Sequence, residues 1–297
     1  MWKHQTALTL AIAAILALLI GCTRPLPQMT TPEVYWARKM MWEPEYDLVL
    51  AGDSRTNRGV SPAAMTRELP DLRIINFSFQ STAFTQEYLE AIERRLDPDG
   101  RRILVLGISP ISLTPRNARN NMFLEMHRRH PAEIYQRVNL DSVLRFFSPI
   151  EWERSDAPLR TRTGNKVKIY HADGWVSVRD DPPQPTRNIP YYEEFYVDNQ
   201  VSDEIIDELL SAVRQWTENG ISVFAFRPPT TVAMFELEER ISGLDENEFA
   251  ERFRAAGGTW LRFRHGSFLS YDGSHLQDSA ARRFSTVMAR RIAQHLE

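Results

Sequence analysis

The chain has one cysteine, Cys22, among 297 residues, so no disulfide can form within it and its stability must come from a packed core. It has no glycine-rich phosphate-binding run, and no nucleotide or other cofactor is expected. Long blocks of one charge are missing too. The 36 basic and 39 acidic residues are interspersed along the chain, and a net charge of −3 predicts no nucleic-acid footprint. Histidines are few, seven in all. His127 and His130 lie on a basic segment, with His171 further along, and the neighbouring arginines disfavour a cation, so no metal site is expected. No internal repeat is evident. The one extended apolar run, residues 7–20, is too short to span a bilayer comfortably.

That run follows Lys3 and ends in Leu19-Ile20-Gly21-Cys22. A short positive flank followed by an apolar stretch reads as a targeting segment. Its end resembles the lipobox of bacterial lipoproteins. The resemblance implies a signal peptide over 1–21 and a mature chain starting at Cys22, with lipid on that residue anchoring it to a membrane. An uncleaved anchor, or an ordinary signal with a chance cysteine, is the alternative. On each reading the domain is extracytoplasmic, and on the first it is a membrane-anchored lipoprotein of the bacterial cell envelope. Residues 22–45, with Pro25, Pro27, Pro32 and Pro44, read as a tether carrying one short helix near 32–41.

From 46 onward the pattern is that of a single domain. Leu48–Ala51 is an apolar run of strand length that breaks at Gly52. Ser61-Pro62 starts a helix expected to reach about Leu69. Strands are expected over 73–79 and 102–107, with a helix at about 83–96 between them. Strand and helix alternating at this spacing mean parallel pairing with right-handed crossovers. Between 110 and 200 the regularity lapses, and half of the 18 prolines fall there. Helices are expected near 122–130 and 134–147 and short strands within 166–179; the whole segment reads as an insertion that caps or walls a site. The core pattern resumes with a helix from Ser202 to about Gly220 and a strand at 221–226. Residues 235–256 read as mainly helical, 259–263 as the fifth strand, and 279–296 as the last helix. The expected fold is α/β: a three-layer α/β/α, flavodoxin-like arrangement with a five-stranded parallel sheet and a cap insertion.

In such a sheet, ligands bind beyond the carboxyl ends of the strands. The first strand delivers Asp53 and Ser54 there. A serine hydroxyl is a weak nucleophile until a base takes its proton. Asp272-Gly273-Ser274-His275 offers that base: a carboxylate three residues before an imidazole can fix one ring nitrogen and leave the other free. Gly52-Asp53-Ser54 after the first strand and Asp272-x-x-His275 before the last helix resemble the first and last blocks of the SGNH, or GDSL, hydrolases. The two blocks bracket about 220 residues, nearly the whole domain. The resemblance implies Ser54 as nucleophile, His275 as base and Asp272 as its orienting acid. Asp53 is expected to bond backbone amides of its own turn.

The family's middle blocks, a glycine after the second strand and an asparagine after the third, are not intact here. Oxyanion donors are therefore sought at the Ser54 N–H and at Ser78, Gln80, Ser81 and Ser109. Arg55 and Arg227, near the carboxyl edge of the sheet, are candidates for an anionic substrate group, with ion-pair roles as the alternative. Trp152, Trp175, Tyr191 and Tyr192 either stack on sugar rings or pack under the cap. The resulting expectation is an extracytoplasmic esterase or O-acyltransferase whose partner is an acylated glycan or lipid. The alternatives are a non-catalytic glycan-binding envelope protein and a lysophospholipase or thioesterase.

Overall fold

The computed structural model describes residues 2–23, 31–136 and 158–296. The chain forms two compact units, one made of Met1–Arg38 with Arg129–Leu159 and the other of Lys39–Arg128 with Arg160–Glu297. In the first unit, helix α1 spans Trp2–Thr23, and α2 (Pro32–Met40) runs to the boundary between the units. Among the described residues no helix is long and apolar enough to cross a membrane. Residues 131–136 are helical; the rest of the helix expected over 134–147, and Trp152, lie outside the described residues.

The second unit is built on five parallel strands: β1 (Leu48–Gly52), β2 (Ile74–Asn76), β3 (Ile103–Gly107), β7 (Ser222–Phe226) and β8 (Thr259–Leu261), in the order β2-β1-β3-β7-β8. Every residue of β1 and β3 is buried, as continuous apolar runs require when both faces of a sheet are covered. One face carries Leu48, Leu50, Val105, Phe224 and Phe226 against Ala280, Phe284, Met288 and Ile292 of the last helix, α12 (Asp278–Leu296). Two short helices, α3 (Ser54–Gly59) and α4 (Pro62–Met65), join it on that face. The other face is covered by α5 (Gln86–Glu93), α9 (Asp203–Glu218) and α11 (Glu246–Ala255). On α9, Ile205, Ile206, Leu209, Leu210, Val213 and Trp216 bury a stripe of helical period. The result is the three-layer α/β/α sandwich, flavodoxin-like in strand order once the inserted strands are set aside.

Several elements differ from expectation for local reasons. The helix at 62 stops at Met65, and the Thr66 hydroxyl bonds back to the Pro62 carbonyl at 3.1 Å. The stretch 235–256 is two helices, α10 (Val232–Ile241) and α11. Gly243 breaks it with φ of 79°, and Asp245 then caps α11 by accepting from the N–H groups of Asn247 and Glu248.

The inserted stretch holds a second sheet, β4 (Leu159–Thr163), β5 (Lys166–Tyr170) and β6 (Val176–Asp180), followed by α8 (Ile189–Phe195). β5 and β6 pair antiparallel, with Lys166 opposite Asp180 and Lys168 opposite Val178. The smaller sheet is fastened to the start of α12. The Gln277 side chain exchanges two hydrogen bonds with the Asp180 backbone, at 3.1 and 2.7 Å. Between β3 and α8 the chain also forms α6 (Pro115–Arg119) and α7 (Met122–His127).

Candidate active site

The order of the large sheet reverses between β1 and β3, and the crevice there is the expected ligand position. Gly52 and Gly107 end these strands side by side in register. A Cβ at Gly52 would meet Thr56 Oγ1 at 2.5 Å and the Gly107 carbonyl at 2.6 Å. Both glycines therefore allow α3 to start directly over the strand ends, and α3 starts at Ser54. Asp53 caps it. Its Oδ1 accepts from the Arg55 N–H at 2.9 Å and its Oδ2 accepts from the Ser109 hydroxyl.

Ser54, half-buried at that edge, places its Oγ 2.8 Å from Nε2 of His275, which lies 221 residues further along. His275 Nδ1 is 2.9 Å from Asp272 Oδ2. Asp272 Oδ1 also accepts from the backbone N–H groups of His275, at 2.8 Å, and Ser274, at 3.0 Å. Between them Gly273 turns with φ of 95°, where a side chain would run into the Pro185 carbonyl. The cap holds the same loop from outside. Gln184 N–H donates to the Tyr271 carbonyl at 2.8 Å, and Asn188 N–H donates to the Asp272 carbonyl at 3.0 Å.

Sequence reasoning missed Arg58 and Tyr271. Arg58 Nη1 is 3.2 Å from His275 Nε2 and donates to the Tyr271 hydroxyl at 3.0 Å. Tyr271 stacks on the His275 ring with centroids 5.7 Å apart. A guanidinium can only donate, so Nε2 is an acceptor and the ring proton sits on Nδ1, facing Asp272. That is the tautomer a general base for Ser54 requires. Arg58 lies four residues after Ser54, hence on the same helix face, and that spacing was the one signal available.

Burial opposes a charge on His275, and Arg58 adds to the effect against the pull of Asp272; the imidazole pKa falls to about 4. Burial works against Asp272 ionising as well. The His275 ring and the two backbone N–H groups outweigh it and hold the carboxyl well below its usual range. The site at neutral pH is thus a neutral imidazole beside a carboxylate.

The oxyanion candidates fare unequally. Ser109 is committed: its hydroxyl bonds Asp53, and its N–H donates to Ser112 Oγ at 3.3 Å. This corrects the expectation that it donates to an oxyanion. The Ser78 N–H donates to Asn76 Oδ1 at 3.1 Å, whereas its hydroxyl is buried with no partner. Gln80 and Ser81 are half-exposed on the loop after β2, with Ser81 in the left-handed region at φ 53°. The Ser54 N–H lies in the first turn of α3, where the helix itself supplies no acceptor.

Arg55 and Arg227 do not line a cleft, which corrects their assignment to substrate. Their side chains are 1% exposed and close on a buried Glu238. Arg55 grips it with two bonds, at 2.5 and 3.0 Å, and Arg227 approaches at 3.3 Å and also pairs with Glu239. Arg55 Nε donates to Ser274 Oγ at 2.9 Å, and Tyr192, under the Arg55 guanidinium, bonds the same hydroxyl at 2.8 Å. The pair is thus a foundation for the His275 loop. Trp175 is buried, its Nε1 donating to the Arg58 carbonyl at 2.9 Å; Tyr191 is exposed. Among the described residues no group of three metal-ligating side chains occurs.

No protein-family model and no curated protein matches the chain. Among solved structures it is similar to Est24, a carbohydrate acetylesterase from Sinorhizobium meliloti. The identity is 13%, with 84% of this chain and 99% of that chain covered and a TM-score of 0.36. It is also similar to the native aryl esterase of M. smegmatis, at 11% identity with the same coverage and TM-score.

Proposed function

We propose that the chain is a serine esterase or O-acyltransferase of the SGNH type, acting on an acyl ester of an envelope glycan. The observation that carries the reading is the aligned series Ser54 Oγ, His275 Nε2, His275 Nδ1, Asp272 Oδ2, with links of 2.8 and 2.9 Å. Ser54 attacks the ester carbonyl as His275 takes its proton. His275 then returns that proton to the leaving alcohol, and the acyl group stays on Ser54. Water or a second alcohol, deprotonated in turn by His275, attacks the acyl-serine and releases an acid or a new ester. Asp272 stabilises the imidazolium formed at each stage without itself taking the proton.

Location belongs to the same proposal. The short apolar run before Cys22, the only cysteine, supports a lipid anchor at that residue and an extracytoplasmic domain.

The test is reaction of the purified protein with a fluorophosphonate, read by intact mass. One adduct on the wild type, absent from Ser54→Ala and His275→Ala, is expected. No adduct on a folded wild type defeats the catalytic reading. A second reading, a glycan-binding protein with a disabled site, is favoured by one observation: both donors of Ser109 are committed elsewhere. Loss of one oxyanion donor costs about 100- to 1000-fold in rate.

A further inference from the structure

The cap brings positive charge to one side of the candidate site, more than the nearby carboxylates Asp272 and Asp180 offset. Lys166 and Lys168 are two apart on β5, hence on one face of that strand, and both are half-buried. Lys166 Nζ lies over the Tyr271 ring at 4.7 Å, on the residue whose hydroxyl accepts from Arg58. Among the described residues neither lysine pairs with a carboxylate. Burial lowers both pKa values, Arg58 adds to the effect on each, and Lys166 falls to about 8. Asp272, which favours the charged form of Lys166, is bound to His275. Arg187 adds a further cation, partly offset by its 2.5 Å pair with Asp180. Half-buried lysines without a paired carboxylate are uncommon, because burial penalises their charge.

The position of Arg58 says which part of a substrate meets this charge. His275 Nε2 delivers its proton to the leaving alcohol, so a cation 3.2 Å from Nε2 stands on the alcohol side of the ester. Arg58 also creates a difficulty. Once Nε2 carries the serine proton, two N–H groups face each other there. An anion on the alcohol would draw Arg58 away at that moment, and an interaction gained in the transition state raises rate.

We propose, resting on the esterase reading, that the site selects esters whose alcohol moiety carries a carboxylate, sulfate or phosphate group. Arg58, Lys166 and Lys168 receive that group. For a glycan, this means an acidic sugar bearing the O-acyl group.

The test compares phenyl acetate with 4-acetoxybenzenesulfonate, and with phenyl 3-sulfopropanoate, which carries its charge on the acyl side. Each kcat/KM is divided by the rate of the same ester with hydroxide, so that intrinsic reactivity cancels. The expected result is a preference of about tenfold or more for 4-acetoxybenzenesulfonate over phenyl acetate, with none for the acyl-side anion. The preference collapses toward unity in the double variant Lys166→Gln, Lys168→Gln, and it weakens as salt is raised. Because the readout is a ratio, partial misfolding of the variant does not affect it. Turnover of phenyl acetate with a ratio near one in both proteins overturns the anion site and leaves the esterase reading standing. If no ester reacts and no fluorophosphonate adduct forms, the esterase reading fails, and calorimetry on Ser54→Ala decides the anion site alone. Binding of 4-hydroxybenzenesulfonate that exceeds that of phenol, and is lost with the lysines, supports the site. Equal binding overturns it.

Discussion

On the esterase reading His275 is a base, and a base works only in its deprotonated form, so its lowered pKa has a direct kinetic meaning. With that pKa near 4, His275 is neutral from about pH 5 upward, and kcat/KM for a neutral ester is expected to fall only as the pH drops through about 4. Burial is the main cause, and Arg58 contributes. Replacing Arg58 with Met removes a charge that disfavours the imidazolium, so the acid limb of the profile should move to higher pH. A pH–rate profile of the two proteins checks this, and an unmoved limb would mean that Arg58 does not act on the imidazole. At this scale the sequence was legible where chemistry sits in short motifs. Ser54, Asp272 and His275 come together from such motifs. Arg58, Tyr271 and Lys166 meet across three separate segments, and no local pattern announces a contact of that kind. Ser109 shows the converse: a hydroxyl in the right loop faced Asp53, and sequence does not say which acceptor a hydroxyl chooses.

Between elements, the strongest dependence is the clasp of α10 onto α3 and β7. Glu238 on α10 holds Arg55 of α3 and Arg227 beyond β7, and all three are buried. Glu238→Gln leaves the buried Arg55 guanidinium without its paired carboxylate, while Arg227 keeps Glu239 and Glu246. The expected cost is about 3–5 kcal/mol, to be read from urea unfolding. Because Arg55 also bonds Ser274, beside His275, activity in the remaining folded protein should fall as well. The elements themselves were readable from periodicity. Four of the five core strands lie within two residues of their expected ranges and β2 ends three residues short of its own, because buried parallel strands are runs of apolar residues. The division of 235–256 into α10 and α11 was not, since the apolar pattern continues on both sides of Gly243. Arg55 and Arg227 were placed correctly at the sheet edge, but their partner, Glu238, sits on a helix that gives no sign of facing inward.

For the whole molecule the question is attachment. On the proposed reading, Cys22 carries lipid and residues 23–45 tether it to the catalytic domain. Expression in a bacterium with an alkyne-labelled fatty acid should label the wild type and place it in the membrane fraction. Cys22→Ser should be unlabelled and lose that fractionation. Equal labelling of both would remove the anchor from the proposal.

On the esterase reading the nucleophile, Ser54, follows the first strand of the sheet, and its base, His275, precedes the final helix. A chain still leaving the ribosome, or one that ends before residue 272, therefore carries a serine with nothing to activate it. On that reading, reactivity requires α12 docked and the His275 loop seated against α3. Labelling of Ser54 by a fluorophosphonate, if it occurs as proposed, would then be more than an assay of chemistry: it would count completely folded molecules in any sample, with no need to know the substrate.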